Sequence, residues 1–103
     1  MVESDWKKFS AMVPMLRERY LARQNERLAS MLRSADKTET ERFWDTKEAM
    51  EKEAKTLRWC LDGHSRSQMW LFMRCMRSVG MLTKEDLVGF SDELQKQVLD
   101  DPR

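Results

Sequence analysis

The residues best suited to chemistry lie together between positions 60 and 67. Cys60, Asp62 and His64 carry metal-ligating side chains, but a chain with two cysteines and one histidine has no second pair to complete a tetrahedral site. The run from Gly63 to Ser67 departs from the esterase nucleophile elbow at its last position, and that elbow also requires a preceding strand. We therefore expect no catalytic residues, no metal and no cofactor.

The same turn has a second interpretation, as a site for an anion. Free amides and the helix dipole favour negative charge at a helix start, which is where we expect to find His64, Ser65, Arg66 and Ser67. The simpler interpretation is that Ser65 only caps the third helix, with Gln68 as the second member of a capping box. Anion binding is kept as the functional alternative.

Arginines recur along the first predicted helix. Arg19, Arg23 and Arg27 share one helix face at 3.6 residues per turn. A face of this kind can follow phosphates, so nucleic-acid binding is an alternative function. The simpler interpretation is a solvated helix face, because 19 basic and 18 acidic residues leave a net charge of only +1.

Helix-start and helix-stop residues divide the chain into elements. A serine or threonine followed three residues later by Glu, Gln or Asp marks a helix start at Thr38, Ser65 and Thr83. Gly63 and Gly80 mark helix ends. The sequence predicts an all-α fold, a compact bundle of four helices over residues 5–33, 39–61, 66–79 and 84–99.

The first helix is the longest, and Pro14 predicts that it is kinked or split near that position. Residues 1–103 are expected to form a single helical domain with a frayed tail at 100–103. Apolar periodicity predicts a core shared by all four helices. Its members are Leu16, Tyr20, Leu28, Leu32, Phe43, Met50, Leu57, Leu61, Met69, Phe72, Met76, Val79, Leu87, Phe90, Leu94 and Val98.

The N-terminal part of the first helix carries more apolar surface than a short third helix could cover. A helix of about 29 residues is about 43 Å long, twice the length of a 14-residue helix. We expect its uncovered end either to fold back at Pro14 or to pair with a second copy in a homodimer. We favour the homodimer, with an interface at Trp6, Phe9, Met12 and Val13.

These observations favour one class of function. No apolar run reaches the roughly 18 residues of a membrane span, and the N-terminus lacks the order of a signal peptide, so we expect a cytoplasmic protein with reduced cysteines. Nine methionines and four tryptophans indicate adaptable apolar helix faces. We predict a non-catalytic protein–protein interaction or regulatory module that binds another protein. The first alternative is the nucleic-acid-binding accessory protein, and the second is a small ligand-binding protein or enzyme with a pocket at Trp59 and Trp70.

Overall fold

A computed structural model describes residues 2–99, which contain helices and turns and no β-strand. The all-α prediction with four helices is therefore confirmed, while the predicted fraying at 100–103 lies outside the described residues. A short 3₁₀ turn, Glu85–Leu87, lies between the last two helices. The helices are α1 (Glu3–Leu32), α2 (Glu39–Leu61), α3 (Met69–Ser78) and α4 (Asp92–Leu99).

Helices α1 and α2 form an antiparallel hairpin. The Thr38 hydroxyl accepts from the Glu41 amide and the Glu41 carboxylate accepts from the Thr38 amide, so α2 begins at the predicted capping box. Farther along the pair, Glu53 accepts hydrogen bonds from the Tyr20 hydroxyl and, at 3.0 Å, from Arg27. These bonds fix the register of α2 against the C-terminal half of α1.

The remaining elements pack against α1 from Asp5 to Arg23 and against α2. Gly80 has φ +78°, and the amide of Met81 donates to the Met76 carbonyl at 2.8 Å, as a glycine-terminated helix end requires. The segment after Gly80 then runs back along α1. The largest fully buried side chains of the described residues come from α1, α2, α3 and this segment, and they form one core. They are Phe9, Leu16, Cys60, Met69, Met73, Met76, Met81, Leu82 and Leu87.

The molecule is longer than a compact bundle of this size. Its radius of gyration is 16.5 Å and its extents are 52 × 30 × 23 Å, whereas about 13 Å is typical of a 103-residue globular domain. The difference arises because α3 packs against α4 and near the C-terminal end of α2, where Cys75 meets Cys60. The other end of the α1–α2 hairpin extends beyond them.

Helix α1 continues through Pro14, so of the two predicted forms, kinked or split, the split does not occur. Two other helix boundaries differ from the prediction. Helix α3 begins at Met69 rather than near 66, and Ser65 makes no capping bond. The predicted fourth helix is interrupted around Gly89, where the carbonyl accepts from Lys8 at 2.6 Å, and α4 restarts with the Ser91 hydroxyl accepting from the Leu94 amide.

The predicted core is correct around α3 and α4 but wrong at the hairpin end. Leu32, Phe43 and Met50 are 51%, 58% and 52% exposed. The physical reason is the rotation of α2, which turns Thr46 and Glu53 towards α1 in place of the apolar stripe. Nine predicted members are buried, and four lie half-buried against the core, namely Leu57, Leu61, Phe72 and Val79.

Candidate functional site

The arginine face predicted to be solvated is bonded within the chain. Arg19 donates to Asp86 at 3.1 Å and to the Met81 carbonyl at 3.0 Å, and Arg23 donates to the Gly80 carbonyl. Arg27 donates to Glu53 at 3.0 Å. The three side chains therefore hold α1 against α2 and against the connection that follows α3.

Asp86 combines two structural roles. Its carboxylate accepts from the Thr83 amide at 2.7 Å while the Thr83 hydroxyl accepts from the Asp86 amide, which forms the predicted capping box. Burial acts to raise the pKa of Asp86, but the hydrogen bonds from Arg19 and Thr83 outweigh it and hold that pKa below its ordinary value. The hydrogen bond to Asp86 likewise raises the pKa of Arg19.

The residues predicted to bind an anion do not converge on one position. The His64 ring packs between Phe9 and Phe72, with centroid distances of 5.0 Å and 4.6 Å, and its Nε2 lies 2.7 Å from the Cys60 carbonyl oxygen. Arg66 turns away to bond Glu3 at 3.0 Å.

The helix start that motivated the anion site is also elsewhere. The amides of Gln68 and Met69 donate to the carbonyls of Ser65 and Arg66, at 3.3 Å and 3.4 Å. Ser65, Arg66 and Ser67 therefore belong to a turn that precedes α3. They do not present a helix N-terminus, and the geometry gives no support to the anion site.

The N-terminal interface predicted on α1 is largely covered by the chain itself. Phe9 is fully buried, and Trp6, Met12 and Val13 are half-buried. The expectation of an uncovered α1 end is therefore wrong, because the segment before α4 returns along α1. Whether the protein dimerises is a separate question, and the homodimer stays a prediction.

An exposed apolar surface lies instead at the far end of the hairpin. We call it the hairpin face. Its two aromatic members, Phe43 and Trp44, are each 58% exposed and contact edge to face with centroids 5.0 Å apart. Lys47 lies 5.9 Å from the Trp44 ring centre. The hairpin face consists of Leu32, Phe43, Trp44 and Met50.

The position of this face follows from the geometry of α2. At about 100° per residue, Phe43 and Met50 lie about 40–80° around the helix from Thr46 and Glu53, which face α1. Farther along the same stripe, Leu57 and Leu61 pack against the core. Phe43 and Met50 are thus the part of the apolar stripe on α2 that the rest of the chain does not cover, while Trp44 lies about 100° around the helix from Phe43.

The grooves beside the hairpin include a polar one and an apolar one. A polar groove of about 680 Å³ includes Arg27 and Lys37. Its cations already have partners, because Arg27 bonds Glu53 and Lys37 bonds Asp45 at 2.6 Å. An apolar groove of about 460 Å³ lies between α2 and α3, and it includes Trp59 but not Trp70, the other member of the predicted pocket.

Residues 2–99 contain no group of three or more His, Cys, Asp or Glu side chains arranged to hold a metal ion. Among the same residues, no helix is both long enough and apolar enough to cross a bilayer. Comparisons with protein-family models, with curated proteins and with solved structures found no match.

The hairpin face was not predicted, although the sequence carries a signal for it in two adjacent aromatic residues. Phe43 and Trp44 are adjacent, so their side chains point about 100° apart on a helix and cannot both enter one buried stripe. At least one aromatic ring had to lie outside a two-helix contact. The pattern could not show that both would remain more than half exposed.

Proposed function

We propose that this protein is a non-catalytic protein–protein interaction module, and that it acts as a homodimer through the hairpin face. One observation carries the proposal. Leu32, Phe43 and Met50 occupy positions that the apolar periodicity assigns to a core, yet each is more than half exposed in the single chain. A stripe with the composition of a core and no cover is typical of a surface that a partner buries.

The size of the face supports this interpretation. Aromatic side chains bury about 150–250 Å² each, so two rings that are 58% exposed leave roughly 90–145 Å² each in water. Together with Met50 and Leu32, the four side chains expose roughly 300–400 Å² of apolar area in all, comparable with the largest apolar patch of a typical monomer, which is often functional.

The charges favour a second copy as the occupant. Residues 17–33 carry five basic and two acidic side chains, whereas residues 39–53 carry three basic and six acidic ones. In a two-fold pair of hairpins, α1 of one protomer can lie against α2 of its partner, so that the basic segment faces the acidic one, although Arg19, Arg27 and Glu53 are already paired within the chain. Complementary charge of this kind selects partner and register more than it adds affinity.

Light scattering behind size exclusion tests the proposal. The wild-type protein at tens of micromolar should have a mass near twice 12.4 kDa. The double variant Phe43→Ser/Met50→Ser should be monomeric and should keep its helical circular dichroism, because both side chains are exposed in the single chain. Val88→Ser is the matched control, since Val88 is 76% exposed and lies outside the face.

Two outcomes would contradict the proposal. A wild-type mass near 12.4 kDa would refute the homodimer. A dimeric Phe43→Ser/Met50→Ser variant would show that the interface lies elsewhere.

We place the module in the cytoplasm, because its two cysteines are free thiols and persistent disulfides are typical of oxidising compartments.

Nucleic-acid binding is the weaker candidate. The guanidinium groups of Arg19, Arg23 and Arg27 already bond Asp86, Glu53 and backbone carbonyls of the same chain. Phosphates would have to compete with these partners. Salt-dependent retention of the wild-type protein on a heparin column would support nucleic-acid binding. Recovery of the protein in the unbound flow-through at low salt would contradict it.

A further inference from the structure

The two cysteines of the chain meet at the contact between α2 and α3. The Sγ atoms of Cys60 and Cys75 lie 2.8 Å apart, and both thiols are free. A disulfide bond is about 2.05 Å long, so the sulfurs need to approach by less than 1 Å. We propose that Cys60 and Cys75 are a redox modification site, which a peroxide converts to an intramolecular disulfide and a dithiol restores.

The two thiols differ in access, which assigns them different roles. Cys60 is fully buried, whereas Cys75 is half-buried and lines the apolar groove between α2 and α3. That groove holds about 460 Å³ and is also lined by Trp59 and Leu71, so a small oxidant reaches Cys75 first. Cys75 is therefore the peroxide-reactive thiol, and Cys60 is the resolving thiol beneath it.

The acid–base properties agree with this order. Burial, followed by the hydrogen bond to Cys75, raises the pKa of Cys60 to about 12. Cys60 is consequently a protonated thiol at neutral pH, and the thiolate is the species that attacks a peroxide. The buried thiol reacts only after its neighbour has been oxidised.

The reaction balances with hydrogen peroxide as the oxidant. The Cys75 thiolate attacks one peroxide oxygen, so that a S–O bond forms, the O–O bond breaks, and the departing hydroxide takes up a proton to become water. The Cys60 sulfur then attacks Sγ of Cys75. The S–S bond forms, the S–O bond breaks, and the Cys60 proton leaves with the oxygen as a second water molecule. Each sulfur is oxidised by one electron, and the peroxide is reduced to two water molecules.

This proposal does not depend on the proposed function. The cysteine pair lies where the C-terminal end of α2 meets α3, with Cys60 in the core, and none of the residues of the hairpin face lines the groove beside it. Failure of the homodimer would leave the cysteine chemistry unaffected, and the reverse also holds.

Intact-mass spectrometry of the full chain tests the proposal. Reduced wild-type protein treated with one equivalent of hydrogen peroxide should lose two hydrogens, should no longer react with N-ethylmaleimide in denaturant, and should regain both thiols on treatment with dithiothreitol. Peptide mapping should recover the fragment containing Cys60 linked to the fragment containing Cys75 in the monomeric band.

Single variants separate the two roles. Cys60→Ser should accumulate a sulfenic acid at Cys75 that dimedone traps, whereas Cys75→Ser should react with peroxide at least tenfold more slowly. Circular dichroism checks that both variants fold. If one variant does not fold, the peptide map of the wild-type protein still decides whether Cys60 and Cys75 form an intramolecular disulfide. Wild-type protein that gains oxygen atoms without an intramolecular cross-link, or that keeps both thiols, would overturn the proposal.

Discussion

Replacing Asp86 with alanine should lower the free energy of unfolding by about 2 kcal/mol at pH 7. Loss of the capping bond to the Thr83 amide costs about 1 kcal/mol. Loss of the ion pair with Arg19 adds about 1 kcal/mol, a figure reduced by solvent screening because the Arg19 side chain is 37% exposed. Urea unfolding followed by far-ultraviolet circular dichroism measures the change.

The sign of the pH dependence follows from the folded state. The pKa of Asp86 is lowered on folding, because hydrogen bonds from Arg19 and Thr83 outweigh burial. Its contribution is therefore present above the ordinary aspartate pKa of about 3.9 and is lost as the pH falls through the lower folded value. The difference between wild type and Asp86→Ala should shrink steadily between pH 5 and pH 2.

A control variant separates this effect from the general loss of a carboxylate. Glu51 also pairs with a cation, Lys47 at 2.5 Å, but both side chains are about half or more exposed. Glu51→Ala should leave the urea midpoint nearly unchanged. An effect of Asp86→Ala no larger than that of Glu51→Ala, or an effect equal at pH 7 and pH 2, would show that the hydrogen bonds of the Asp86 carboxylate do not stabilise the fold.

Three further predictions concern stability, and urea unfolding checks each of them. Thr38→Ala removes the capping box of α2 and should cost about 1 kcal/mol, so an unchanged midpoint would contradict the assigned cap. Gly80→Ala should cost about 1 kcal/mol because φ is +78° there, whereas Gly89→Ala should be close to neutral because its Cβ meets only the flexible end of a lysine. Protein carrying the proposed disulfide should be about 3 kcal/mol more stable than reduced protein, since the closed loop spans 15 positions.

Helix ends could be predicted wherever their signals are local. The capping boxes at Thr38 and Thr83 and the positive φ values of Gly63 and Gly80 depend on residues within a few positions along the chain. Ser65 failed as a cap although its local pattern was similar. The neighbouring side chains are held by distant partners, since His64 packs against Phe9, and no local signal reveals such contacts.

The faces of the helices were harder to predict than their ends. Periodicity identified the stripe containing Phe43 and Met50, but it could not show whether another element would cover that stripe. The ten residues of α3 span about 15 Å, less than half the length of α2. The partners of the arginine face could not be predicted for a similar reason, because the partner of Arg19 lies 67 positions away.

The contacts made by the start of α1 constrain when the chain can complete its fold during synthesis. The Asp5 carboxylate accepts from the amide and hydroxyl of Ser91, and Lys8 bonds the Gly89 carbonyl, across 86 and 81 positions. Closing a loop of 86 residues costs about 0.9 kcal/mol more than closing the 33-residue loop between Tyr20 and Glu53.

A ribosome therefore produces the first turns of α1 early but supplies their partners only after residue 91 has been added. Until then, Phe9 lacks the C-terminal part of the core that covers it in the finished fold. Any nascent chain arrested before residue 91 carries this apolar surface into the cell, where it is a target for chaperones and proteases.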